Sequence, residues 1–373
     1  MKKRMIYPKP KEVNGRYFCP ECGDGGKDNK GWNATSGYRY HYKKEHNALL
    51  KEKAPPQEQI KDIKEIAQQV ISELPKLKRL EPPNIKKGDL KDESWVLEFS
   101  DFHYGQLVKA VEVGGMSEYN PKIARERLQL LAQTIIRILE YHPNKPKELV
   151  IASLGDIVDG SILRGNQQSN IEFGVCKQVI EGVELIADFI ILLSAHFPII
   201  RFYGVYGNHA RLTPNPKDAP PQENFDLMLY HFIQQRLRDI EGISIDYTEA
   251  QHMIVEIKKR NFWLDHGDTV RGWAGYPYYG ADRQKNNIQA ILQMFSNKAD
   301  YMLMGHHHRL GIFNGIMANG SFVGGDLFSI GKLRKMGIAE QLLFAVNEKH
   351  GVVWFRPIQL SEPKELDLKI YKP

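Results

Sequence analysis

The chain has 373 residues, 42% of them hydrophobic and 26% charged, with a formal net charge of +6. That length allows more than one domain and a sizeable core, and the sequence holds no apolar run long enough to span a membrane. Its three cysteines, two of them three residues apart, exclude a disulfide framework. They suit metal binding in a reducing compartment, so the cytoplasm (the host's, for a viral protein) is the expected location. The charge is uneven: residues 1–53 carry thirteen Lys and Arg against six Asp and Glu, and the remainder is close to neutral. A basic module on a neutral body points to a polyanion partner, nucleic acid before others. The alternative is a lysine-rich surface that only confers solubility.

Taken in order, residues 1–50 form the first predicted domain. The stretch "YFCPECGDGGKDNKGWNATSGYRYHYKKEH" sets Cys19, Cys22, His41 and His46 at C-x2-C-x18-H-x4-H spacing. It resembles a C2H2 zinc finger lengthened by six residues within "GDGGKDNKG", with Trp32 and Tyr38 at the usual core positions before the first histidine. The resemblance implies one structural zinc. The positions that would read bases are Ala34, Gly37 and Tyr40, two of which offer base edges nothing. Phosphate contact through Arg39, Lys43 and Lys44 is therefore expected. A protein-docking or purely structural knuckle is the competing reading.

Residues 51–93 read as a helix and linker. Ile60, Ile63, Ile66, Ala67 and Val70 follow helical spacing between Pro56 and Pro75. This helix could dock on the main domain or pair with a second copy in a dimer. From Trp95 onward strands and helices alternate through residues 94–373. "WVLEFS", "ELVIASLG", "IIRFYGVYG", "HMIVEI", "NFWLDHG" and "YMLMG" are predicted strands. Helices are predicted over 123–141, 175–196, 223–240 and near 284–296, with a turn at Lys259-Arg260. A strand, turn and strand close the chain in "QLLFAVNEKHGVVWFRPIQL". Buried strands alternating with helices predict an α/β fold.

The polar residues gather where these strands stop. Asp101 and His103 follow the first, Asp156 and Asp159 the second, Asn208 and His209 the third. His266 ends "NFWLDHG", and His306 and His308 follow "YMLMG". Ligands of α/β sheets bind at the C-terminal ends of strands. Carboxylates, imidazoles and an amide suit divalent manganese, iron or zinc, and the set is larger than one tetrahedral ion requires.

Together the motifs D-x-H, G-D-x-x-D, G-N-H, H-G and G-H-x-H resemble the calcineurin-like metallophosphoesterase superfamily. That resemblance implies a four-layer αββα sandwich and two divalent metal ions. Asp101, His103 and His308 would hold the first, and Asn208, His266 and His306 the second, with Asp156 bridging. His209 would face the substrate as a catalytic group, and Asp159 would orient it. A structural hydrogen bond is the alternative for Asp159, and His307 reads as a solvent-facing or supporting histidine. Arg164, Arg211 and Arg271 are the candidate substrate contacts, with solvent exposure the competing reading.

The chain departs from the protein serine/threonine phosphatases of that superfamily. Gly160-Ser161 follows Asp159 where they carry Arg-Gly, and Ala210 follows His209 where they carry Glu. The aromatic and cationic loop "TVRGWAGYPYYGADRQKNN" suits nucleic acid, and the core looks similar to the nuclease subunit of double-strand-break repair complexes. The expected function is thus a metal-dependent DNA nuclease, exo or endo. A phosphatase or phosphodiesterase for a small nucleotide or phosphoprotein is the second reading. A non-catalytic zinc-finger nucleic-acid-binding protein is the third.

Overall fold

The computed structural model describes residues 11–13, 16–19, 68, 72, 78, 93–162, 167–215, 220, 222–271, 277–334 and 336–361. The chain divides into two compact units, Met1–Leu74 and Pro75–Pro373. In the first, β1 (Lys11–Val13) and β2 (Arg16–Phe18) form an antiparallel pair. It runs into Cys19, which is buried. Cys22, His41 and His46 lie outside the described residues. Gln68 and Ser72 are helical, within the stretch whose spacing predicts a helix.

The second unit is built on two sheets. Six strands order as β13-β12-β3-β4-β5-β6, from β3 (Glu93–Phe99), β4 (Glu148–Ser153), β5 (Ile199–Gly204), β6 (Ile243–Tyr247), β12 (Glu340–Asn347) and β13 (Gly351–Gln359). β3 to β6 are parallel, and β12 and β13 add antiparallel. Five further strands order as β10-β11-β9-β8-β7, from β7 (His252–Ile257), β8 (Arg260–Asp265), β9 (Tyr301–Met304), β10 (Gly311–Phe313) and β11 (Ile316–Ala318).

Side chains of a strand alternate between faces, and this sorts the core into three layers. One face of the six-stranded sheet, with Trp95, Leu97 and Phe99, packs on α1 (Pro121–Tyr141), α2 (Val175–Ser194) and α3 (Phe225–Leu237). The other face, with Val96 and Val150, meets Phe262, Leu264 and Leu303 of the second sheet. The outer face of that sheet, through Trp263, Met302 and Ile316, packs on Ala281, Ile288 and Leu292 of α4 (Tyr278–Gln293). The order is helix, sheet, sheet, helix.

Local chemistry sets the element ends. Asn120 caps α1 by accepting from the Ile123 N–H, with Pro121 preset at the first helical position. Asn224 caps α3 in the same way from Asp226. Helix ends shift by two or three residues from the sequence expectation in α1, α2 and α3, and two further boundaries differ for a visible reason. α4 starts at Tyr278 because Ala281 is buried and the Tyr278 ring sits edge-on against Phe313 at 4.8 Å. The β7–β8 turn falls on Lys258-Lys259, at φ 50° and 57°, so that Arg260 can pair with Ile257. A two-residue hairpin turn with positive φ at both positions matches the strand twist, and here it is made by two lysines.

Glu98 breaks the apolar pattern of β3. It is fully buried, and neither carboxylate oxygen has a hydrogen-bond partner among the described residues. Burial pushes its pKa well above the ordinary carboxylate value. The unfolded chain therefore releases this proton first as pH rises. Stability is lost from the unfolded pKa upward, by about 1.4 kcal/mol per pH unit until the folded pKa is reached. Glu98→Gln should stabilise the protein relative to wild type at pH 7.5 and by clearly less at pH 5.5. Urea unfolding of both proteins at the two pH values reads this. A difference that did not grow with pH would mean Glu98 is ionised in place.

Candidate metal centre

Three of the strands that reach the centre, β3, β4 and β9, end in left-handed turns. Asp101, His103, Asp156, His306 and His308 all have left-handed backbone, with φ between 44° and 67°. Such conformations in residues other than glycine cost on the order of 1 kcal/mol or more each and cluster at functional sites. Neighbouring loops hold them in place. The N–H groups of Asp101 and His103 donate to the carbonyls of Gly155 and Asp156 at 3.0 Å, and the Gly305 N–H donates to the His266 carbonyl. Gly155 and Gly207 abut through their backbones: a Cβ on Gly207 would lie 2.2 Å from the Asp156 nitrogen.

One residue ties two of these loops together without a motif to announce it. The Asp226 carboxylate, at the start of α3, accepts the backbone N–H groups of Asp156, Ile157, Val158 and Gly207 at 2.9–3.3 Å. It is completely buried. Burial and the neighbouring Asp156 charge push its pKa up to about 6. Gln178 of α2 plays a similar part, accepting from the Gly160 N–H and donating to the Gly160 carbonyl. Asp101 is buttressed by the Ser100 hydroxyl, which donates to it at 2.5 Å and is itself held by Asn319. Gln341 in turn accepts from Asn319 and from the Ser100 N–H.

Two clusters of donor atoms result. In the first, the Nε2 atoms of His103 and His308 stand 3.0 Å apart, and the His308 Nε2 lies 3.1 Å from Asp101 Oδ1. In the second, His266 Nε2 lies 3.0 Å from Asn208 Oδ1 and 3.1 Å from Asp156 Oδ2, and His306 Nδ1 lies 2.9 Å from Asn208 Oδ1. Asp156 Oδ2 is also 3.9 Å from His103 Nε2, which places it between the clusters.

Tautomers sharpen the picture. His103 donates from Nδ1 to Asp159 Oδ1 at 3.1 Å, and His266 donates from Nδ1 to the Leu154 carbonyl at 2.6 Å. Their Nε2 atoms then face other acceptors. Asp156 Oδ2 is buried with no hydrogen-bond partner among the described residues, its 3.1 Å contact with His266 being an ion pair only. Converging lone pairs and an unpartnered carboxylate oxygen are what a cation satisfies. Asp101, His103 and His308 could hold one ion, and Asp156, His266 and His306 another, with Asn208 beside the second. The donors therefore fit a two-metal centre.

Charge within the cluster follows the same logic. Burial opposes ionisation of Asp101 and Asp156, but the imidazoles outweigh it. His308 and His266 hold Asp101 at about 2, and His266 and His209 hold Asp156 well below its ordinary value. Burial and the positive neighbour His209 depress His103, and burial with His266 depresses His306. Both carboxylates are thus anionic, and His103 and His306 are kept neutral. At His266 burial is outweighed by Asp156 and Asp101, which raise its pKa well above the ordinary value, so a cation bound there would have to displace its proton.

His209 lies close enough to His103 and Asp156 to form a third donor group, but its ring is engaged by Asp159. Its backbone N–H donates to Asp156 Oδ1 at 2.7 Å, and its ring Nδ1 lies 3.0 Å from Asp159 Oδ1, the oxygen that His103 also uses. Burial works against Asp159, but hydrogen bonds from His103 and His209 keep its pKa far below the ordinary value. Arg211 and Asn208 share a hollow of about 280 Å³ with His266. Arg271 is exposed, and it does not line the hollows that adjoin the centre among the described residues. Arg164 lies outside the described residues. His307 packs edge-on against His306 at 5.1 Å and lines the largest of the adjoining hollows.

Residues 94–310 match the calcineurin-like phosphoesterase family, and the chain belongs to it. The SPbeta prophage-derived uncharacterized protein YonJ of Bacillus subtilis (strain 168) is 29% identical over 248 residues. The match covers 64% of this chain and 56% of that protein, so the chain spans little more than half the length of this relative. Among solved structures, a dimetal phosphatase from Danio rerio is 10% identical with a TM-score of 0.33, over 72% of this chain and 99% of that one. Vps29 from Entamoeba histolytica, complexed with zinc, is 12% identical with a TM-score of 0.29, over 72% and 99%. Among the described residues no helix is long and apolar enough to cross a membrane.

Proposed function

We propose that this phosphoesterase cleaves phosphodiester bonds in nucleic acid, as a DNA exo- or endonuclease working with two divalent cations, manganese foremost. The observation that carries this reading is the shape around the centre. A hollow of about 370 Å³ over His306 to His308 shares Asn208 with the hollow beside Arg211, and shares His209 with a third, of about 110 Å³, beside Asp159 and Lys332. A phosphate at such a junction has room for a substituent on more than one side, as a diester requires and a monoester does not.

Two cations held by the clusters would supply Lewis acidity and a water of lowered pKa. The protein's own part is positional. Asp159 fixes the His209 ring through Nδ1, so Nε2 is the atom that gives a proton to the departing oxygen. Arg211 supplies positive charge at the neighbouring hollow, where a backbone phosphate would lie. The basic N-terminal segment, with its finger-like Cys19, Cys22, His41 and His46, would hold phosphates of the same polymer.

The direct test offers labelled single- and double-stranded DNA, beside bis-p-nitrophenyl phosphate, to the full chain with added manganese. DNA cleavage that needs the metal and is lost in His209→Ala is the expected result. Hydrolysis of the small diester with both DNAs untouched would reassign the enzyme to small phosphodiesters. The 370 Å³ hollow, within the range of small-ligand pockets, keeps that second reading in view.

A further inference from the structure

A short helix, α5 (Leu327–Gly331), borders the same hollow as the ligand loops. Its anchoring is complete without its outermost side chains. Asp326 and Ser329 cap it reciprocally, at 2.6 and 2.9 Å, and Ile330 packs on the core. Arg127 holds the preceding segment through the carbonyls of Phe322 and Val323. Yet Leu327, Phe328, Leu333 and Met336 are all exposed. An apolar cluster left in solvent beside a highly charged centre marks a binding surface.

Phe328 has a particular place in it. It lines both the 370 Å³ hollow over the histidines and the 110 Å³ hollow beside Asp159, as do His209 and Gln106. The Lys332 ammonium stands 5.7 Å from its ring centroid. The larger hollow continues along Leu333, Met336 and Tyr278. An aromatic ring with a cation beside it is the combination that binds a nucleobase and its phosphate together.

Resting on the phosphodiester reading, we propose that Phe328 determines specificity by stacking on the base of the nucleotide that occupies the larger hollow. The substrate this selects is an unpaired strand or strand end, because base faces inside a duplex are already covered by their neighbours. Lys332 holds the adjoining phosphate. The smaller hollow, beside the proton donor, receives the leaving side.

The test uses the manganese-loaded full chain and two p-nitrophenyl diesters, one of thymidine 5′-phosphate and one of methyl phosphate. Wild type should prefer the thymidine ester through a lower KM. Phe328→Ala should raise that KM, and lower the preference over the methyl ester, by about tenfold, while Phe328→Trp restores both. Calorimetric titration with thymidine 5′-monophosphate should show the same pattern in affinity, whether or not either ester turns over. Equal losses on both esters, no loss, or failure of tryptophan to restore binding would overturn the stacking role. Failure of the nuclease reading looks different: the thymidine preference and its dependence on Phe328 persist while labelled DNA is untouched.

Discussion

Asp226→Ala should lower the unfolding free energy by about 4 kcal/mol and remove metal-dependent hydrolysis, although its carboxylate belongs to neither donor cluster. Four backbone N–H groups converge on that carboxylate, from the Asp156 loop and from Gly207. A buried donor left without a partner costs about 1–3 kcal/mol. Water entering the space left behind recovers part of the sum. The two loops so tied carry Asp156, Asn208 and His209, so their release displaces the carboxylate between the clusters, a donor of the second cluster and the proposed proton donor as well. Misplacement by an ångström is enough to cost on the order of a hundredfold in rate. Asp226→Asn keeps one acceptor oxygen and turns an amide donor toward the remaining N–H groups, so it should fall between alanine and wild type. Urea unfolding reads the stability, and calorimetric manganese binding to the folded variant reads the centre. An alanine variant within about 1 kcal/mol of wild type and with unaltered manganese affinity would show that the loops hold themselves.

Why the sequence announces Asp101 or His306 but not Asp226 is a matter of locality. The strand-end residues stand in short motifs, each after a buried strand and beside a glycine, so a few neighbours are enough to mark them. The layered α/β plan is legible for the same reason, since strand and helix periodicities are local. Asp226 instead sits in the first turn of α3, where an acid after an asparagine cap is ordinary. A signal exists: Asp226, Tyr230, Ile233 and Leu237 lie on one helical stripe and all are buried. An acid that heads an apolar stripe must find donors in the core. Gln178 lies among Val179 and Val183 of α2 in the same way. The Ser100–Asn319–Gln341 network joins positions more than 200 residues apart, and nothing within any one segment encodes such a meeting. The exposed apolar ridge at Phe328 is equally silent, because exposure of an apolar side chain is a tertiary property.

A pair of substitutions separates the two tasks that meet at Asp159. His209→Ala should lower kcat on DNA by about 10²- to 10⁴-fold, the usual contribution of a positioned general acid. The loss should be much smaller on p-nitrophenyl esters, whose leaving group needs no proton. Manganese affinity should stay near wild type, because His209 donates its ring proton to Asp159 and the other two donor groups can hold two ions without it. Asp159→Asn should do more. Asp159 Oδ1 accepts from His103 at 3.1 Å and from His209 at 3.0 Å, so one anionic oxygen serves a candidate ligand and the proton donor together. Replacing it with a neutral amide lowers the basicity of His103, and loss of such a partner weakens metal binding by about 10- to 100-fold. It also withdraws the charge that favours a protonated His209. In the double variant the proton-transfer loss can be incurred only once, so the two effects on kcat should fall well short of adding, while the loss of manganese affinity should equal that of Asp159→Asn alone. Full additivity in kcat would mean Asp159 acts only through His103. Unchanged manganese affinity in Asp159→Asn would mean it acts only through His209.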